Sequence, residues 1–155
     1  MNKQIETIRK TRTALLETIS ELNHEQLNKI PTGFNNNIIW NLAHLIAAQQ
    51  GICYLKAGLP LVVDKEFFLA YKPDSKPEKF VETEDIEKIR ALLFSTLDQL
   101  ELDVQQNLFT YYRNWITRYG VEINNIEGAI SFLPFHEGLH LGYIMALKRV
   151  VKNRE

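Results

Sequence analysis

The stretch His136-Glu137-Gly138-Leu139-His140 puts two imidazoles four residues apart. On a helix that spacing stacks them one turn above the other on one face, so both reach a single metal ion at about 2.0–2.1 Å. Two imidazoles are half a site, because zinc sites take at least three protein ligands. The chain has four histidines in all, which leaves His44 and His24 as the histidine candidates for a third ligand.

The same residues spell H-E-x-x-H, the zinc-protease pattern in which the glutamate acts as general base. The extended form of that pattern needs glycine and histidine where this chain has Tyr143 and Ala146, and fifteen residues follow His140. A third histidine therefore comes from upstream, and the protease reading is the weakest one. Glu137 lies roughly 80° around the helix from the mean direction of the two histidines. It is the candidate catalytic carboxylate if it touches a water on the metal, and its favoured place is solvent or a hydrogen bond behind the ligands.

The elements that would position these groups are helices. Ile5, Ile8, Leu15, Ile19 and Leu22 recur at helical spacing over a first helix from about Lys3 to Glu21. Asn23 is a cap for a short turn, His24 to Lys29, so His24 falls in a polar connector and reads as a solvated surface residue. Asn35, Asn36 and Asn37 offer caps for a second helix that Gly58 and Pro60 stop after Ala57. Its stripe of Trp40, His44, Ala47, Ala48 and Gly51 turns His44 inward. A lone histidine there reads as a core residue, and the histidine pair elsewhere turns that reading toward ligation.

The connection from Gly58 to Val81 carries three prolines and a short amphipathic turn, Asp64 to Tyr71. Connections of this length act as lids or binding loops, or cover a bundle end or a subunit contact. A third helix is expected from Glu84 to about Leu102 with Thr83 as cap. The aromatic stretch Asp103 to Ile123 reads as partly helical or as a short extended excursion, with a turn at Gly120. The last helix runs from Asn124 or Asn125 to about Lys152, with a kink or break expected near Ile130 to Leu133 because Pro134 lacks an N–H. Gly138 and Gly142 each weaken it by about 1 kcal/mol relative to alanine, a cost that implies crowding by a neighbour or room near the site. No strand pattern is clear.

Composition sets the outer limits. A chain of 155 residues is expected to form one domain, 1–155. Its 45% apolar and 24% charged residues are those of a soluble globular protein. A net charge of −1 gives no electrostatic reason to expect nucleic acid or an anionic membrane as partner. The lone cysteine, Cys53, excludes an internal disulfide and reads as an inert buried thiol. No signal peptide or spanning segment is visible, and the cytoplasm is the expected compartment.

Trp40-Asn41-Leu42-Ala43-His44-Leu45 together with His136-Glu137-Gly138-Leu139-His140-Leu141-Gly142 resembles the DinB/YfiT-like superfamily of metalloenzymes. The resemblance covers nearly the whole chain in helix order and length, and its specific content is three histidines and their spacing. Many members carry glutamine after the final glycine, where this chain has Tyr143, and place the helix-2 aromatic nearer the helix start than Trp40. The resemblance implies an all-α four-helix bundle, up-down-down-up, with a long connection between helices 2 and 3. It also implies a divalent metal, zinc or nickel, held by His44, His136 and His140. Characterised relatives include thiol-dependent transferases and isomerases that use low-molecular-weight thiols.

Three neutral histidines leave coordination positions open, the arrangement of a catalytic site. The expected function is a metal-dependent transferase or hydrolase of a small molecule, with a low-molecular-weight thiol as co-substrate. The alternative is a non-catalytic dimeric binding or stress-response module with a vestigial histidine site. A homodimer is expected on either reading.

Overall fold

A computed structural model describes residues 2–152. Those residues are mostly helical, as the pattern of apolar residues requires. Four long helices carry the structure: α1 (Asn2–Thr18), α3 (Ile38–Gln49), α5 (Thr83–Gln105) and α6 (Ile126–Lys152). Two short ones, α2 (His24–Asn28) and α4 (Lys65–Tyr71), fill connections. Both α1 and α3 pack against α5 and α6.

Local chemistry explains most boundaries. Asn23 forms a full capping box with Gln26 at the start of α2. The Asn37 side chain accepts from Trp40 N at 2.8 Å and starts α3. Asn125 Oδ1 accepts from Gly128 N at 2.7 Å ahead of α6. All twelve residues of α3 are buried, which identifies it as the central helix. It continues through a π-helical turn, Gln50–Tyr54, and a short 3-10 turn, Leu55–Ala57. Gly58 then stops it at φ 70, in the left-handed region where glycine has no Cβ penalty.

Several expectations are corrected. Thr83 does not cap α5; Glu82 holds the cap position and its side chain makes no capping bond. Of the kink or break expected at Pro134, the break does not occur: α6 is helical without interruption from Ile126 to Lys152. The aromatic stretch keeps to the readings its sequence allowed, partly helical and partly extended. Its beginning extends α5 to Gln105, and its end forms a small antiparallel pair, β1 (Trp115–Ile116) and β2 (Glu122–Ile123). Gly120, at φ 76, makes the turn between them. Crowding does not account for Gly138 and Gly142, since a Cβ at either would meet nothing within 4 Å.

The apolar stripes read from sequence are the core. Ile5, Ile8 and Leu15 of α1 and Ile19, just past its end, are buried, as are Ile86, Ile89, Leu93, Leu97 and Leu100 of α5. Among the described residues no helix is long and apolar enough to cross a membrane.

Candidate metal centre

The central helix brings His44 to the last helix's histidine pair. Ring centroids lie 5.4 Å apart for His44 and His136, 4.9 Å for His44 and His140, and 4.7 Å for His136 and His140. One nitrogen from each ring falls within 4.8 Å of the other two. A tetrahedral ion bonded at 2.0–2.1 Å needs its ligand nitrogens about 3.4 Å apart, so small ring movements suffice to close the set. His24 is elsewhere, exposed, with its Nδ1 3.1 Å from Thr83 Oγ1.

Hydrogen bonds behind the rings decide which nitrogen faces the centre. Asn41 sits three residues before His44 on the same helix and donates both amide hydrogens, to Asn36 Oδ1 at 3.0 Å and to the Asn37 carbonyl at 2.7 Å. Its remaining oxygen lies 2.8 Å from His140 Nδ1 and so accepts from it. His44 Nδ1 likewise donates to the Tyr71 carbonyl at 2.8 Å. Both rings are thus held in the tautomer whose Nε2 lone pair is free to ligate. Trp40 stacks on His44 at 4.7 Å and 11°, fixing the ring plane. His136 Nδ1 is buried and has no hydrogen-bond partner among the described residues.

Electrostatics also favour the ligating form. Burial lowers the pKa of all three histidines, helped at His136 by His44, Arg12 and Arg118 and at His140 by the other two rings. His136 falls to about 4 and His140 to about 3. At neutral pH the cluster is uncharged imidazole, which is what a divalent ion binds. The donor set, the tautomers and the protonation state all fit such an ion.

Of the two places the sequence allowed Glu137, solvent or a hydrogen bond behind the ligands, it does not take solvent. It is fully buried, not solvent-facing, and its Oε1 accepts from Arg12 Nη2 at 2.7 Å and Nε at 3.1 Å. Arg12 is itself fully buried and also donates to the Leu93 carbonyl at 2.6 Å and the Leu45 carbonyl at 3.4 Å. One guanidinium therefore ties together α1, α3, α5 and α6, next to His44 in one helix and beside His136 in another. The carboxylate serves this tie and does not line the cavity in front of the histidines. The protease reading loses its base, since Glu137 is paired with Arg12 away from the cavity.

Sequence reasoning missed Arg12, although a signal was present. Arg12 stands four residues after Ile8 and three before Leu15, on the buried stripe of α1. A charge there requires a buried partner, and Glu137, four residues after the buried Leu133, is in the matching position on α6. The Tyr71 carbonyl could not be foreseen, because backbone acceptors leave no trace in residue type. Cys53 meets expectation: it is buried, and burial pushes its thiol up to about 12.

In front of the histidines lies a cavity of about 800 Å³. Trp40, Phe68, Trp115 and Phe132 form apolar parts of its wall. Tyr143, at the position where many DinB/YfiT-like members have glutamine, packs edge-on against Phe34 at 5.7 Å and is not part of that wall.

The DinB superfamily profile matches residues 7–144. No curated protein matches the chain. The match spans most of the sequence and includes all three clustered histidines, so the chain belongs to the DinB superfamily.

Proposed function

From membership of the DinB superfamily and the convergence of His44, His136 and His140, we propose a metal-dependent transferase or hydrolase of a small molecule. The observation that carries this reading is the meeting of three neutral imidazoles, with two tautomers fixed, in the wall of a cavity. A divalent ion held there, zinc or nickel, supplies Lewis acidity and lowers the pKa of a coordinated thiol or water. The protein's own part is to orient the ligands and to bind the substrate. The Tyr71 carbonyl and Asn41 aim His44 and His140, Trp40 clamps His44, and the aromatic residues of the wall offer apolar surface beside the reacting groups. Cys53 cannot supply a thiolate at neutral pH. A thiol in this chemistry is therefore an external, low-molecular-weight co-substrate.

The proposed architecture is one domain in which the four long helices form an up-down-down-up bundle, working in the cytoplasm as a homodimer. Phe135, Leu139 and Met145 are exposed on α6. Gly138 and Gly142 occupy the same open side. Glycines that weaken a helix without relieving any internal contact fit a face that a second copy approaches closely. The same face favours the second reading, a non-catalytic dimeric binding or stress-response module with a vestigial histidine site.

Thiol-conjugation and ester-hydrolysis assays on metal-loaded protein separate the two. Turnover that disappears in His136→Ala is expected for the enzyme. Stoichiometric metal with no turnover on either reaction class places the binding module ahead.

A further inference from the structure

Charge in the cavity is distributed unevenly. One part of its wall is the three-histidine cluster. Toward solvent it carries Lys56, Arg113 and Arg118, against one acid, Asp74. Arg113 and Arg118 are exposed, and among the described residues none of the three cations has a carboxylate partner.

These cations are presented from anchored backbone. Arg113 N donates to the Lys56 carbonyl at 2.7 Å, which pins the aromatic segment to the end of the central helix. Lys56 Nζ lies 4.8 Å over the Trp115 ring and is held against the wall. Arg118 belongs to the β1–β2 turn. There the buried Thr117 pairs with Val121 through backbone at 2.9 Å and accepts Val121 N on its hydroxyl at 3.1 Å. Guanidinium groups carried on anchored backbone pair with oxyanions through parallel N–H donors.

We propose that this cavity selects an organic acid: a molecule with an apolar or aromatic body and a terminal oxyanion, carboxylate or phosphate. The oxyanion is held by Arg113 and Arg118, and the body lies against Trp40 and Trp115 with its far end toward the histidines. Asp74 disfavours cationic molecules in the same place. This deepens the small-molecule reading of the same cavity and rests on it.

The chain's two tryptophans, Trp40 and Trp115, both line the cavity, so intrinsic fluorescence reports its occupancy. Metal-loaded protein is titrated with 4-phenylbutyrate, its neutral amide, and phenyl phosphate, at low and high salt. At least one acid is expected to bind about tenfold more tightly than the amide, with the margin shrinking as salt rises. Which acid binds better separates carboxylate from phosphate as the natural group. Arg118→Gln and Arg113→Gln are expected to reduce acid affinity toward that of the amide, while Asp74→Asn raises it. Arg149→Gln, outside the cavity, is expected to change nothing. Equal affinity of acids and amide, undiminished acid binding in both arginine variants, or no response to any probe would each overturn the inference. Metal content is measured on the same samples. Failure of acid selectivity with metal retained counts against this inference alone, and absence of metal counts against the metalloenzyme reading.

Discussion

His136 and His140 carry an acid sensitivity whose sign follows from burial. Their folded pKa values lie at about 4 and about 3, against 6.5 for an ordinary histidine. Between pH 6.5 and those values the unfolded chain binds protons that the folded chain refuses. Stability of the metal-free protein therefore falls as pH drops from 6.5 toward 4 and 3, and these two groups contribute no pH dependence above about 7. Thermal unfolding of the metal-free protein across this range checks it. His136→Asn should flatten the profile, and an unchanged slope would count against burial as the cause. Proton competition for the metal is displaced in the same direction, to below the ordinary histidine range. The buried Arg12–Glu137 pair gives a second test. Arg12→Met leaves Glu137 buried without its cation and should cost about 3–5 kcal/mol in urea unfolding. Adding Glu137→Leu should recover much of that loss. A double variant as unstable as the single one would mean that the carbonyl bonds to Leu93 and Leu45 matter more than the ion pair.

Among the elements, α6 bears the most conflict between local preference and structure. Pro134 lies inside it, and two of its glycines occupy open space. Gly138→Ala should raise the stability of dilute, monomeric protein by about 0.5–1 kcal/mol, since a Cβ there meets nothing within 4 Å. A loss of stability would instead show that the position needs glycine. Helix positions were legible in the sequence because periodicity and caps act locally. Asn23, Asn37 and Gly58 each do what their residue types suggest. The Trp115–Ile123 pairing was not legible, because two-residue strands are too short to show alternation. The histidine triad was legible because spacing and residue type are themselves the chemistry. The bonds around it were not, because Glu137 pairs with Arg12, distant in sequence, and His44 with the carbonyl of Tyr71.

For the whole molecule, association and metal binding are the properties to measure. The exposed face of α6 leads to the expectation of a particle of about twice 18.1 kDa in light scattering, converted to monomer by Leu139→Glu. A single monomer mass for wild type across micromolar concentrations would contradict the dimer. The central claim is that three helix-borne imidazoles form one metal site, and metal content of purified protein after incubation with zinc or nickel and removal of excess ion tests it most directly. Wild type and His24→Ala are expected to retain about one ion per chain, and His44→Ala, His136→Ala and His140→Ala to retain essentially none. Full metal retention in His44→Ala would contradict the three-histidine site.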